Sequence, residues 1–276
     1  RTVEDAAILL TALAGPDTRD AATAAGARRA VDFTTFLDRD GLRGARIGVA
    51  REKFAGYSDR TDKLLDAALD AMRQAGATIV DPANIATART LDADELDILM
   101  YEFKADLNAY LAELTNSRVR TLADVIAFNR EHATEEMPYF GQEIMERSQK
   151  KGSLQSAEYR RMLARGKRRA GTEGIDATMK AHRLDAIVAP TQGPPSLIDL
   201  VNGDPSGGGY FTSPAAIAGY PHVTVPMGFV FGLPVGISFV GGAWSEPTLL
   251  KLAYAYEQAT KHRRPPAFAA TASLSA

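Results

Sequence analysis

Arg46-Ile47-Gly48-Val49-Ala50 and Ala77-Thr78-Ile79-Val80-Asp81, together with what lies between them, decide the fold class. Each is a short apolar run that includes β-branched residues, the pattern of a buried strand. From Thr61 to Ala75 the apolar residues Leu65, Ala68, Leu69 and Met72 return at helical spacing, and Gly76 stops the helix. A strand, a helix and a second strand in such quick succession form the unit of a parallel sheet with a crossover, so the chain reads as α/β.

Elements of the same kinds extend on both sides. Val3, Ala6, Ala7, Leu10, Leu13 and Ala14 make a helical stripe, with Thr2 and Asp5 as a capping pair and Gly15-Pro16 as the stop. A helix capped at the second residue suggests that the chain starts inside a larger body. From Asp92 to Ala181 nothing alternates like a strand. Leu96, Met100, Phe103, Leu107, Leu111 and Leu114 keep a helical period, and further helical stretches follow near 122–130 and 156–182. This reads as a helical insertion over about 92–182 between sheet strands. Ala186-Ile187-Val188-Ala189 returns to strand, and a Gly- and Pro-rich loop follows over 191–209. Loops after strand ends are where α/β sheets bind ligands. A short helix near 214–218, strands at 222–226 and 234–240 with a turn at Phe229-Val230-Phe231-Gly232, and a closing helix from Glu246 to Thr260 complete the chain.

Composition narrows the function. The 276 residues are 45% hydrophobic, enough to bury a core. Lys+Arg 32 against Asp+Glu 34 leaves a net charge of -2, with no general pull toward nucleic acid or anionic lipid. The absence of cysteine removes disulfides, thiolate metal sites and cysteine nucleophiles. Val223 to Trp244 carries no charge and is long enough to cross a bilayer, but Pro226, Gly228, Gly232, Pro234, Gly236, Gly241 and Gly242 break it, and it reads as strand core. No membrane or nucleic-acid partner is expected. The cytoplasm is the default compartment, with the periplasm as the alternative.

The residues alone do not name a reaction. There is no G-x-S-x-G elbow, Walker loop, G-x-G-x-x-G, EF-hand loop or H-E-x-x-H. His132 with Glu135 and Glu136 is the one acid and histidine cluster, and it reads as a solvated helix face. His222, at a strand start after Tyr220-Pro221, reads as structural more readily than as a general base. Arg160, Arg161, Arg165, Lys167, Arg168 and Arg169 surround a helix without interleaved aromatics and read as a solvated face. Gly207-Gly208-Gly209 reads as a mobile turn rather than an anion nest.

Three stretches together resemble the C-terminal half of the amidase signature family, the Ser, cis-Ser, Lys hydrolases of carboxylic amides. They are Arg1-Thr2-Val3-Glu4-Asp5-Ala6-Ala7 on to Leu13-Ala14-Gly15-Pro16-Asp17, then Leu184 to Thr191, then Ala218 to Gly228 with Gly232 to Gly241 and the helix through Tyr256-Glu257-Gln258-Ala259-Thr260. Tyr139-Phe140-Gly141-Gln142-Glu143 is similar to the peptide amidase branch. The resemblance implies one domain over 1–276, a mixed β-sheet covered by helices, and acyl transfer without metal or organic cofactor. A serine attacks the amide carbonyl, a second serine relays protons to and from a neutral lysine, and backbone N–H groups stabilise the oxyanion. The family's lysine and both serines have no counterpart here: the chain has no Ser-Ser or Gly-Gly-Ser, so no catalytic residue is assigned.

The resemblance further implies a small-molecule amide substrate and the N-terminal half of the same enzyme as partner, with a homodimer left open. Phe140, Gln142, Thr191, Gln192, Phe211 and Thr212 are the candidate substrate contacts. Two other readings stand beside it, a non-catalytic α/β ligand-binding or interaction module and the A-type subunit of an amidotransferase.

Overall fold

The computed structural model describes residues 1–26, 29–205 and 207–268. Its strands are β1 (Arg46–Val49), β2 (Thr78–Val80), β3 (Ala186–Pro190), β4 (His222–Val230) and β5 (Leu233–Val240). Its helices are α1 (Val3–Leu13), α2 (Asp59–Gln74), α3 (Asp92–Glu113), α4 (Leu122–Glu131), α5 (Ala133–Glu136), α6 (Glu143–Gln149), α7 (Ala157–Ala170), α8 (Asp176–His182), α9 (Ser213–Ala218) and α10 (Glu246–Thr260). Among the described residues no helix is long and apolar enough to cross a membrane. The chain divides into two compact units, one of residues 1–88, 170–196 and 206–276, the other of 89–169 and 197–205. The helical stretch expected over about 92–182 is thus shared, with α8 in the sheet-bearing unit.

The sheet-bearing unit holds one five-stranded sheet in the order β2-β1-β3-β5-β4. β1 runs parallel to β2 and β3, whereas β5 is antiparallel to both β3 and β4, so the sheet is mixed. β3 is buried at all five positions, as its unbroken apolar run requires of a strand covered on both faces. On one face Val188, Ile237, Phe239 and Val225 pack with Leu65, Leu69 and Met72 of α2 and with Leu249, Leu252 and Tyr256 of α10. On the other, Ile187, Ala189 and Val240 pack with Ile175, Phe211 and Ala215.

Caps fix the helix starts, at Thr2 as the sequence predicts and at Ser58 for α2, which begins at Asp59, two residues before the expected Thr61. Thr2 and Asp5 form a reciprocal capping box on α1, and Ser58 accepts the Thr61 N–H to cap α2. Such a cap contributes about 1 kcal/mol. The N-terminus of α1 is also held by buried Glu257 of α10, whose carboxylate accepts the Val3 N–H at 3.0 Å.

β4 continues past the expected end at Pro226 to Val230, through a register shift between Pro226 and Gly228. Pro226 lacks an N–H, but among the described residues β4 is an edge strand paired only with β5, where a missing donor leaves no ladder bond broken. Phe231 and Gly232 turn the chain into β5 with φ of 51° and 75°. Two successive positive φ values give the primed turn that matches the twist of a two-residue hairpin.

In the helical unit, Ile98 and Tyr101 of α3 pack with Tyr159 and Met162 of α7. The two tyrosines cross-brace the helices: Tyr101 donates to Glu158 at 2.8 Å and Tyr159 to Glu102 at 2.6 Å. Of the stripe expected on α3, Met100 and Leu111 are buried, while Leu96 and Phe103 remain exposed.

Candidate active site

The chemistry gathers at the carboxyl end of β3, where the chain leaves the sheet. Thr191 extends the ladder by one step, its N–H donating to the Gly236 carbonyl at 2.8 Å, and its own carbonyl accepts the Phe211 N–H at 3.1 Å. The returning loop is thereby pinned to the strand end. Phe211 is fully buried, with its ring edge-on to Phe54 at 4.8 Å, so this candidate contact supports the loop from below. Thr212 and Gln192 are exposed on either arm of the loop.

The glycine turn closes the loop by backbone contact. The Gly193 N–H donates to the Gly208 carbonyl at 3.1 Å. Gly208 and Gly209 have φ of 78° and 86° and lie against Tyr57, and a Cβ on Gly208 would fall 2.7 Å from the Tyr57 ring. Only glycine combines that left-handed backbone with so close an approach. The Tyr57 hydroxyl is buried beneath this turn with no hydrogen-bond partner among the described residues. Burial, then the charge of Asp62, pushes its pKa up to about 12, so the phenol stays protonated.

Across the strand ends runs a chain of polar side chains. His222 Nε2 lies 2.6 Å from Ser238 Oγ, Ser238 Oγ donates to Thr191 Oγ1 at 2.8 Å, and Thr191 Oγ1 lies 2.6 Å from Thr224 Oγ1. Strand pairing puts these groups on one face: Thr224 is opposite Ser238, and His222 opposite Val240. Gly236 sits among them without a side chain, and a Cβ there would lie 2.6 Å from Thr224 Oγ1 and 2.8 Å from Thr191 Oγ1. Burial pushes the His222 imidazole below its ordinary pKa, which keeps it neutral at pH 7. Tyr220, just before this strand, donates to Asp176 Oδ2 at 2.7 Å and anchors the approach to His222.

Thr191 is therefore the candidate contact that, among the described residues, joins this strand-end polar series. Ser238, Thr224 and Tyr57 belong to the same strand-end region, yet none is among the sequence candidates. The available signal was polar residues on the alternate positions of β4 and β5 opposite their apolar face.

Phe140 and Gln142 lie in the helical unit. Phe140 is 52% exposed in the approach to α6. Gln142 accepts from Asn129 Nδ2 and donates to the Ile126 carbonyl, both at 3.1 Å, and so ties α4 to the start of α6. His132 stacks on Phe128 with ring centroids 4.3 Å apart. Among the described residues no three His, Cys, Asp or Glu side chains are grouped so that they could hold a metal. From the basic run, Arg165 pairs with Asp94 through two 2.6 Å bonds.

Comparison with known proteins places this geometry. The chain is similar to the native peptide amidase from Stenotrophomonas maltophilia, whose X-ray structure superposes with a TM-score of 0.85 at 44% identity, covering 97% of this chain and 54% of that one. A probable amidase of Arabidopsis thaliana is 34% identical over 278 residues, 98% of this chain and 49% of that protein. The A-type subunit of the glutamyl-tRNA(Gln) amidotransferase of Myxococcus xanthus is 33% identical over 278 residues, 94% of this chain and 53% of that protein. The chain thus spans about half the length of the relatives it matches. The family model described as Amidase matches residues 1–250, nearly the whole chain, and the chain belongs to the amidase family.

Proposed function

We propose that this chain is the C-terminal part of an amide hydrolase acting on peptide C-terminal amides, releasing ammonia and the free acid. The observation that carries the reading is the 44% identity to a peptide amidase across 97% of the chain. In this reading the nucleophilic serine, the second serine and the lysine lie on the N-terminal part, which accords with the lack of Ser-Ser or Gly-Gly-Ser here. The serine attacks the amide carbonyl, ammonia leaves, and water releases the acid from the acyl-enzyme.

This chain contributes one wall of the acyl pocket. Thr191 and the exposed Gln192 and Thr212 face the substrate from the loop after β3, and Phe211 holds that loop in place. Within the helical unit, Gln142 sets the position of the segment that carries the exposed Phe140. The N-terminal part continues the sheet from β4, a nine-residue strand whose outer edge pairs with no other strand among the described residues.

The test is ammonia release by the full-length enzyme from a panel of peptide amides, simple aliphatic amides and glutamine-containing acceptors, with the acid product identified by mass. Turnover highest on peptide C-terminal amides is the expected result. Absence of turnover on every amide overturns the reading in favour of a binding module, and turnover only with charged tRNA and partner proteins overturns it in favour of an amidotransferase.

A further inference from the structure

The polar chain across β4, β5 and the end of β3 has a direction. A serine hydroxyl carries one proton, and Ser238 Oγ donates it to Thr191 Oγ1 at 2.8 Å. The 2.6 Å contact between His222 Nε2 and Ser238 Oγ then needs its proton from the imidazole, so His222 is the Nε2–H tautomer. Thr191 Oγ1, having accepted from Ser238, lies 2.6 Å from Thr224 Oγ1 in a bond for which either hydroxyl can be the donor; donation by Thr191 continues the series in one direction. Each bond in such a series polarises the next. In that direction the proton left over is that of Thr224.

The four groups differ in exposure. Ser238 is fully buried, His222 and Thr191 are partly buried, and Thr224 is exposed. The series thus begins at a sheltered imidazole and ends at an accessible hydroxyl whose free proton is a donor. Gly236 leaves the space in which the two threonine hydroxyls meet. All four groups are uncharged at pH 7, with His222 held neutral by burial. A neutral donor of this kind suits a neutral carbonyl oxygen.

We propose that the Thr224 hydroxyl binds a carbonyl oxygen of the amide substrate, and that His222, acting through Ser238 and Thr191, is the positioning residue that sets the direction of that donor. The inference rests on the amide-hydrolase reading and deepens it by naming a subsite for a neutral amide or peptide carbonyl.

Two measurements on the full-length enzyme test it. In steady-state ammonia release from N-acetyl-phenylalaninamide, Thr224→Val should raise KM about 3- to 10-fold, the worth of one neutral hydrogen bond, with little change in kcat. Thr224→Ser, which restores the hydroxyl, should recover most of that loss, and the melting temperature should stay at the wild-type value in both variants. In nitrogen NMR of histidine-labelled protein, His222 should show the Nε2–H tautomer, and Ser238→Ala should shift it toward a mixture.

An unchanged KM in Thr224→Val overturns the carbonyl subsite, and so does a KM rise accompanied by a fall in melting temperature, which marks a structural role. An Nδ1–H tautomer for wild-type His222 overturns the direction of the series. If the wild-type enzyme turns over no amide, the amide-hydrolase reading and the substrate part of this inference fail together, whereas the His222 spectrum decides the direction of the series independently.

Discussion

The two faces of the β4–β5 hairpin share a backbone and differ in almost everything else. On one, Val225, Ile237 and Phe239 are buried against α2 and α10, and Phe239 meets the Tyr256 ring at 5.9 Å between centroids. On the other, His222, Thr224 and Ser238 are hydrogen-bonded in series with Thr191 around a bare Gly236. Successive residues of a strand point to opposite faces, so one short segment can bear core packing on one side and polar chemistry on the other. The apolar face gains stability in proportion to the area it buries. The polar face gains little net, because its bonds replace bonds to water, but it is costly to leave half-paired.

This contrast makes graded predictions for melting or denaturant measurements on the full-length enzyme. Phe239→Ala, on the apolar face, should have the largest effect, a loss of about 3–5 kcal/mol with a cavity beneath Tyr256. A loss below about 1 kcal/mol would show that α10 collapses freely onto the sheet and that this face is not closely packed. Gly236→Ala, on the polar face, should cost about 1–3 kcal/mol, because the new methyl group overlaps two hydroxyls. It should also disturb the His222 signal in NMR, and a stable variant with an unchanged His222 would break the link between Gly236 and the polar series.

A smaller effect should appear in the pH dependence. The folded state holds His222 below its ordinary value near 6.5, so below that pH the unfolded chain binds the proton more readily. The contribution of His222 is therefore complete above about pH 6.5 and declines as the pH falls toward the folded-state value. His222→Gln should flatten the decline in melting temperature between pH 7 and pH 5, and an unaltered slope would mean that the imidazole titrates normally. The smallest effect is expected for Thr224→Val. Its exposed side chain contributes packing to neither face, and the change should stay within about 0.5 kcal/mol, although the neighbouring Val225 is core.

Much of the architecture was legible because it is written in local patterns. The stripe Leu65, Ala68, Leu69 and Met72 is the buried face of α2, and the Thr2 and Asp5 pair is the capping box of α1. The extent of β4 was less legible, since a proline ends a central strand but is tolerated at an edge, and edge status depends on strand order. Phe211 read as an aromatic at the mouth of a loop, yet it packs inward on Phe54, which lies far away in sequence.

The sequence by itself determined the alternation of strands and helices and their turns, because periodicity and capping act over a few residues, and its likeness to the amidase family carried the membership. Only the tertiary structure decided which side chains meet. His222 reaches Ser238 across 16 residues, Thr191 reaches Thr224 across 33, and Ser238 reaches Thr191 across 47. Those meetings follow from the order β3-β5-β4 and its register, which arise from the burial of whole faces rather than from any local preference.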